Sequence, residues 1–425
     1  MSGDHHGATH PARRFGWRDG VLLIGGRPVT ALYRAAGNRP FYAYDAGIIR
    51  ARVAELRRHL PQGVALHYAV KANGFAPVLG LMAGLVDGFD AASAGEIAAL
   101  VAAGVAGARI SFAGPGKGAD EIAAAMAAGV RIVIEDPGEL DDIAAARRRL
   151  GWERPVPLAV RINPPFALKR AGLRMGGEAT AFGIAPGDLG ALLARARALG
   201  LQIDGIHVFA GSQILDGAAL AESHRRAALL VRELAQAHGL DPGWVNLGGG
   251  YGIPYVAGER PLDLAAAAKG LADARAILGG SGGGRHVAIE LGRFLVGEAG
   301  VYVMRVLRVK TVHGRRILVT DGGLHHHLAA TGNFGQVLHR AFPLALATRM
   351  PEGIAAGSGD GGGRESVTIT GRLCSPLDVF ARDVSLPPAG SGDLIAIFQS
   401  GAYGFEASPQ AFLAHPPPRR FLLGR

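Results

Sequence analysis

The sequence predicts an α/β fold: a (β/α)8 TIM-like barrel joined to a second, all-β domain of barrel or sandwich type. Two observations support this prediction. Short apolar strands alternate with alanine-rich helical segments from about residue 64 to residue 292, and beyond Gly297 the chain turns into β-forming runs with little helix. The 425 residues leave room for two domains.

Eight strand candidates lie in the alternating region. They are Leu66–Val70, Gly88–Ala92, Arg109–Ala113, Arg131–Glu135, Leu158–Ile162, Gly205–Ala210, Trp244–Leu247 and Val287–Glu290. Helix-length segments separate most of them, for example Glu121–Ala128, Pro137–Leu150 and Ala218–His238. Eight strands with intervening helices are what a (β/α)8 barrel requires, and in such barrels the functional loops follow the carboxyl ends of the strands.

The second domain is predicted from runs that favour β-structure. They are Val301–Lys310, Ile317–Thr320, Val367–Thr370 and Leu394–Phe398, with N-terminal strands at Val21–Ile24 and Phe41–Tyr44 expected to complete the domain. The barrel is therefore expected to span residues 45–292, and the β domain residues 15–44 and 293–425. Residues 1–14 are expected to be a disordered tail, and Ala355–Arg364, nearly all small residues, a flexible surface loop.

Composition limits the classes of function. The net charge of +10 comes from isolated arginines and short clusters without interleaved aromatic residues, so no nucleic-acid partner is expected. No run approaches the roughly 18 apolar residues of a membrane helix, and Met1–Arg14 lacks the apolar segment of a signal peptide. No membrane partner is expected either. A single cysteine, Cys374, leaves no internal disulfide and favours a reducing, cytoplasmic location.

Lys71 is the most informative residue. It ends an apolar strand, and only four other lysines are present among 45 basic residues. A buried lysine, unlike an arginine, can lose its proton and act as a nucleophile. At a strand end before Ala-Asn-Gly, Lys71 is placed to form a Schiff base with a carbonyl cofactor. An ordinary lysine facing solvent is the alternative on position alone.

Three other segments at predicted strand ends contain polar groups. Gly248–Gly250 lie between a strand and a helix, where consecutive glycines let backbone N–H groups approach a phosphate. Gly211–Ser212 adds a hydroxyl donor. Glu290 and Arg293 place a carboxylate and a guanidinium beyond the last strand; a surface ion pair is the alternative there. A carboxylate facing a pyridine nitrogen would keep it protonated and make the ring an electron sink.

Together these segments resemble the fold-type III pyridoxal-phosphate-dependent decarboxylases, the family of the diaminopimelate, ornithine and arginine decarboxylases. The matching stretches are Tyr68–Asn73, Phe89–Glu96, Arg161–Pro164, Gly211–Gln213, Leu247–Gly250, Glu290–Arg293, Cys374 with Asp378, and Ser400–Tyr403. They occur in the family's order over nearly the whole chain. The resemblance implies an enzyme that decarboxylates an amino acid with pyridoxal 5'-phosphate as cofactor.

The resemblance also implies roles for individual residues. Lys71 would be the Schiff-base lysine and Glu290 the partner of the pyridine nitrogen. The remaining cofactor-binding residues would be His207, Phe209, Ser212, Gly248, Gly249, Gly250, Leu291, Gly292, Arg293 and Tyr403, with Arg293, Asp378 and Tyr403 also contacting the substrate. Cys374 would come from the partner subunit of a homodimer with shared active sites and would protonate the carbanion. A plain buried cysteine is the alternative for Cys374.

The sequence departs from the family at three places. The family's histidine that stacks on the cofactor ring aligns with Phe209, which leaves open whether Phe209 or His207 covers the ring. Diaminopimelate decarboxylases have a glutamate after the cysteine, whereas this chain has Ser375–Pro376. They also hold the distal carboxylate with an Arg-Pro-x-x-Tyr stretch, which is absent after Asp321–His327. Arg340 is a candidate substitute. These three changes fall where the far end of the substrate is read.

Two phrases, His325–Gln336 and Ala407–His415, resemble the decarboxylase subgroup associated with exosortase A and exopolysaccharide gene clusters. Some relatives of that branch act on aminoacyl groups tethered to a carrier protein. The substrate is therefore expected to be either diaminopimelate or a different amino acid, free or carrier-bound, and the second reading is favoured.

Two further alternatives are weaker. Three adjacent histidines, His325–His327, cannot all face one metal ion in regular structure, so a substrate-lining loop is favoured there and no metal is expected. A racemase on a similar barrel would be expected to pair the pyridine nitrogen with an arginine. Because Glu290 stands at that position, decarboxylation is favoured over racemisation.

Overall fold

A computed structural model of the protein describes residues 10–166, 173–174, 180–256, 258–279, 284–334, 340–350 and 363–424. Its strands, in chain order, are β1 Gly16–Arg18, β2 Val21–Ile24, β3 Arg27–Pro28, β4 Phe41–Asp45, β5 Val64–Ala69, β6 Gly88–Ala91, β7 Ile110–Phe112, β8 Arg131–Ile134, β9 Leu158–Ile162, β10 Leu173–Arg174, β11 Gly205–Val208, β12 Gly211–Ser212, β13 Trp244–Gly249, β14 His286–Leu291, β15 Gly300–Val312, β16 Arg315–Thr320, β17 Leu344–Leu346, β18 Glu365–Thr370, β19 Val379–Leu386, β20 Leu394–Ile397 and β21 Arg419–Leu423.

The α-helices are α1 Val29–Ala35, α2 Ala46–His59, α3 Ala76–Ala83, α4 Ala94–Ala102, α5 Ala119–Ala127, α6 Gly138–Leu150, α7 Leu189–Ala198, α8 Gly217–His238, α9 Leu264–Ile277 and α10 Arg293–Val296. Within the described residues, none is both long enough and apolar enough to cross a membrane. The chain divides into two compact units, one of residues 53–253 and 262–294, the other of residues 1–52, 254–261 and 295–425.

The first unit is a closed barrel of eight parallel strands in the order β11-β13-β14-β5-β6-β7-β8-β9. Each of the eight predicted strands is present, so the (β/α)8 prediction is confirmed. The bounds shift by one or two residues at most ends. At β5 the shift matters, because Val70–Ala72 form a 3-10 turn that places Lys71 just beyond the strand.

Local sequence explains the helices that wrap the barrel. Ser93 precedes α4 and its hydroxyl accepts a hydrogen bond from Glu96 N at 3.2 Å, which satisfies a free amide of the first turn. Gly239 ends α8 in the left-handed conformation, with φ +62°. In α9, a Cβ on Gly270 would lie 2.1 Å from Ala221 Cα of α8, so only glycine allows these two helices to pack this closely.

The second unit is built on an eight-stranded sheet with the order β17-β20-β15-β16-β18-β19, in which β4 pairs with β15 and β21. The predicted all-β domain is therefore confirmed. Strand Val21–Ile24 does not join this sheet; it is the centre of a separate three-stranded sheet with β1 and β3. The reason is local, since left-handed turns at Asp19–Gly20 and Gly25–Gly26 fold its two neighbours onto it.

One of the two predicted irregular segments is ordered in part. Residues 1–9 lie outside the described residues, but Pro11–Arg14 form a 3-10 helix with Ala12 buried. Arg14 Nη2 lies 2.8 Å from Glu298 Oε1, so the expected tail is ordered in this part. Of the expected loop Ala355–Arg364, residues up to 362 lie outside the described residues.

Buried histidines make the barrel unit sensitive to acid. Burial lowers the pKa of His224 to about 4. In the unfolded chain this histidine binds a proton near pH 6.5. The stability that neutral His224 contributes is therefore fully present above that pH and is lost as the pH falls towards 4. We expect the melting temperature to fall between pH 7 and pH 5. In His224→Gln, the pH dependence of the unfolding free energy should be shallower by up to about 1.4 kcal/mol per pH unit.

Calorimetry across this pH range measures the effect. Gln236→Ala, an exposed substitution on the same helix α8, is the matched control and should keep the wild-type pH dependence. Parallel pH profiles for the wild type and His224→Gln would contradict the assignment.

Candidate active site

Lys71 lies at the carboxyl end of β5, on the 3-10 turn that follows the strand. Its side chain is exposed, and its Nζ lies 5.9 Å from the centre of the Phe209 ring. The Tyr68 hydroxyl donates a hydrogen bond to Asn73 O at 2.9 Å, which closes the turn around Lys71. The lysine is therefore held at the barrel rim by a rigid backbone while its amine stays accessible.

Glu290, on the neighbouring strand β14, is buried inside the barrel with 5% of its surface exposed. Burial alone would raise the pKa of Glu290, but His207, Lys71 and Arg161 outweigh it and hold that pKa well below its usual range. The His207 Nε2 atom lies 3.4 Å from Glu290 Oε2. Glu290 is thus a buried, ionised carboxylate, and the alternative of a surface ion pair is wrong.

Asn246 is a site residue that sequence reasoning missed. Its Nδ2 donates to Glu290 Oε2 at 2.8 Å, and its Oδ1 accepts from Gly248 N at 2.8 Å. One buried side chain therefore fixes both the carboxylate and the first glycine of the loop after β13. The signal was present, since Asn246 is the one polar side chain in the otherwise apolar strand Trp244–Leu247.

The glycine loop packs directly against the loop after β11. Gly250 has φ +90°, and a Cβ on it would lie 2.3 Å from Gly211 O. A Cβ on Gly249 would lie 1.9 Å from Glu290 O. Ile214 N donates to Gly250 O at 2.9 Å, which joins the two loops. No side chain fits between them, and this is the kind of close backbone cradle that suits a phosphate group.

His207 and Phe209, the two candidates for covering the cofactor ring, occupy different places. His207 is fully buried and faces Glu290. The Phe209 ring lies 5.9 Å both from Lys71 Nζ and from the Arg161 guanidinium carbon. His207 thus lies against the Glu290 carboxylate, and Phe209 is the ring beside the lysine.

Asp90 and Arg161 also belong to this interior, although neither was singled out from the sequence. Burial, with Glu290 next in weight, raises the pKa of Asp90 well above its usual range. The pKa values of these two buried carboxyl groups are thus shifted in opposite directions. Arg161 donates to both oxygens of Glu135, at 3.0 and 3.2 Å. Both residues fall in stretches that carry the family resemblance.

Three predicted site residues lie in the second unit. Cys374 is exposed on a turn, so the alternative of a buried cysteine is wrong. Asp378 is buried, and its carboxylate accepts Leu324 N at 2.6 Å and Leu373 N at 2.8 Å. Tyr403 has φ +56°. Both carboxylate oxygens of Asp378 are thus engaged by the backbone of its own unit.

The three adjacent histidines are buried in the second unit. His326 Nδ1 lies 3.0 Å from the Tyr302 hydroxyl and its Nε2 lies 3.1 Å from Pro416 O. His327 Nε2 lies 3.0 Å from Ser400 Oγ. His326 and His327 are therefore core residues of the β domain, and the expectation that they line the substrate is wrong.

Fold and site together define a (β/α)8 barrel with a lysine and a buried carboxylate on neighbouring strands, an arrangement that suits a carbonyl cofactor. The model of the family "Pyridoxal-dependent decarboxylase, pyridoxal binding domain" matches residues 46–297. The chain is 33% identical to the L-glutamyl-(BtrI acyl-carrier protein) decarboxylase of Niallia circulans, over 93% of this chain and 90% of that protein. It is 30% identical to the diaminopimelate decarboxylase of Methanothermobacter thermautotrophicus, over 95% and 91%.

Among solved structures, diaminopimelate decarboxylase from Helicobacter pylori complexed with L-lysine is similar, with a TM-score of 0.78 and 26% identity over 92% of this chain and 94% of that one. The chain belongs to the pyridoxal-dependent decarboxylases. The family and the enzyme class, an amino-acid decarboxylase, are thereby confirmed.

The double role of Asn246 is testable. In Asn246→Ala, Glu290 loses a donor and the glycine loop loses its anchor, so we expect the dissociation constant for pyridoxal 5'-phosphate to rise by about 10-fold or more. Titration of the apo-enzyme with the cofactor, followed by visible absorbance, measures it. Gln236→Ala on α8 should bind as the wild type does, and equal affinity in Asn246→Ala would contradict the role.

Proposed function

We propose that this chain decarboxylates an aminoacyl substrate with pyridoxal 5'-phosphate attached to Lys71, in a cofactor-binding domain of residues 45–292. The observation that supports this most strongly is the buried, ionised Glu290 on the strand beside the one that bears Lys71. When bound, the cofactor supplies a carbonyl for amine attachment and a protonated ring that accepts the electrons of the breaking bond.

The residues of the barrel fit this cofactor. The close packing of Gly249 and Gly250 leaves a cradle of backbone that suits the phosphate, and Ser212 and Arg293 are the proposed side-chain donors, with Leu291 and Gly292 supplying backbone. Phe209 offers an aromatic face beside Lys71. The proposed cofactor site therefore needs no rearrangement of the barrel interior.

Glu290 distinguishes decarboxylation from racemisation. Asn246 and His207 hold its carboxylate ionised in the interior, where it would keep a pyridine nitrogen protonated. An arginine in this position would favour an unprotonated ring and the chemistry of a racemase. The anionic Glu290 at this position therefore supports decarboxylation over racemisation.

Cys374 is the proposed acid that returns a proton to the substrate carbon. Its thiol is exposed on a turn, which suits a residue that serves a second protomer. We therefore propose a homodimer in which Cys374 and Tyr403 complete the site, Cys374 being contributed by the partner copy. Sulfur can act as a general acid only when water and substrate can reach it, and exposure meets that requirement.

The proposed substrate is an aminoacyl group on a carrier protein. The similarity to the Niallia circulans enzyme, whose name specifies a glutamyl carrier protein, supports this. So does Ser375–Pro376, which replaces the glutamate that diaminopimelate decarboxylases have after the cysteine. The similarity to diaminopimelate decarboxylases keeps free diaminopimelate as the second candidate.

The roles of Lys71 and Cys374 can be separated. Lys71→Ala should abolish the visible absorbance of bound cofactor, because no amine remains to hold it. Cys374→Ala should keep the absorbance but lose about 100-fold or more in turnover, since it removes only a proton donor. Lys269→Ala, an exposed substitution on α9, is the control. A normal spectrum in Lys71→Ala would refute the attachment site.

Substrate choice can be tested by carbon dioxide release. We expect L-glutamate loaded on the BtrI carrier protein to react with a kcat/KM about 100-fold or more above that of free L-glutamate, because binding energy from the carrier supports the chemical step. Free meso-diaminopimelate, ornithine, lysine and arginine complete the panel, with Lys71→Ala as the blank. Rapid release from free diaminopimelate and none from the loaded carrier would refute the tethered substrate.

A further inference from the structure

Asp378 closes the turn that presents Cys374. Its carboxylate accepts Leu373 N at 2.8 Å, next to the cysteine, while its own backbone N–H donates to Ser375 O at 3.2 Å and its carbonyl accepts Gly371 N at 3.0 Å. Residues 371–378 are therefore a compact loop with a buried carboxylate at its centre. The cysteine stands exposed at the tip of that loop.

The same carboxylate reaches a second segment. Its other oxygen accepts Leu324 N at 2.6 Å, directly before the three histidines. The backbone N–H of Arg372 donates to Gly322 O at 3.1 Å and reinforces this junction. Asp378 thus joins the Cys374 turn to Asp321–His327, two segments in which the chain departs from diaminopimelate decarboxylases.

Two glycines make room for this arrangement. A Cβ on Gly371 would lie 2.2 and 2.4 Å from the carboxylate oxygens of Asp378, and one on Gly323 would lie 2.9 Å from Oδ2. With 2% of its surface exposed, Asp378 has each carboxylate oxygen bonded to a backbone N–H. Gly371 and Gly323 therefore leave the room that the carboxylate needs, because any larger residue at either position would displace it.

We infer that Asp378 is a positioning residue: it sets the place of the Cys374 thiol and couples the Cys374 turn to the 321–324 segment, rather than binding substrate. The inference rests on the proposed role of Cys374 in protonation. A charged acceptor that satisfies two backbone donors at once fixes a loop more tightly than neutral groups do. We therefore expect the Cys374 turn and the 321–324 segment to move together when the far end of the substrate differs.

Asp378→Asn tests this inference with almost no change in side-chain volume. The amide replaces one acceptor oxygen with an N–H donor, which then faces a backbone N–H. We expect the cofactor absorbance to remain, KM to change by no more than about twofold, and kcat to fall by about 10- to 100-fold, as for a displaced catalytic group. The rate of Cys374 alkylation by iodoacetamide should change by about fivefold or more.

A double-variant comparison separates positioning from substrate contact. In a Cys374→Ala background, Asp378→Asn should cause no further loss of kcat, because its effect passes through the thiol. If Asp378 touched the substrate, the two losses would multiply, and that result would overturn the inference. The control is Asp393→Asn, which removes another turn acceptor, bound to Gly390 N at 2.8 Å, and should leave kcat and alkylation unchanged.

A folding defect in Asp378→Asn would not leave the question open. Gly371→Ala displaces the same carboxylate from the other side and should give the same kcat loss and altered alkylation. Unchanged alkylation in both variants would overturn the positioning role. Full turnover in Cys374→Ala would instead refute the proposed protonation role, whatever the alkylation rates show.

Discussion

The chemistry of this barrel depends on keeping one carboxylate ionised where burial works against it. Glu290 sits in the interior, and His207, Lys71 and Arg161 supply the positive potential that overcomes its desolvation. Asn246 then converts this electrostatic requirement into geometry, because the same side chain that donates to Glu290 also holds Gly248. The proposed ring-nitrogen partner and the phosphate loop are thereby placed by a single amide.

Glu290 is not the only carboxyl group buried in this barrel, because Asp90 is buried there as well. Burial, with the Glu290 charge next in weight, raises the pKa of Asp90 well above its usual range, whereas the pKa of Glu290 is held below its usual range. A substitution that neutralises Glu290 would therefore lower the pKa of Asp90. The interior is best regarded as one titrating network, in which the charge of a cofactor would redistribute protons among several groups.

Much of this fold could be predicted because its signals are local. Each strand of the barrel is a short apolar run that ends before a helix, so even the bounds of Leu158–Ile162 agree with the structure. What could not be predicted depends on partners far along the chain. Asn246 and Glu290 are 44 positions apart, and only the barrel's closure brings them together. The same holds for Val21–Ile24, since an apolar run does not specify which sheet it joins.

A contact with a residue distant in sequence shapes the Cys374 turn. Asp378 draws the chain into a loop by accepting hydrogen bonds from Leu373 N and Leu324 N. The bond to Leu324 links the loop to the segment that precedes the histidines. A change of substrate in this family would then require coordinated changes in both segments, because moving either one alone would break the shared carboxylate contacts. Their joint departure from diaminopimelate decarboxylases is what such a constraint would produce.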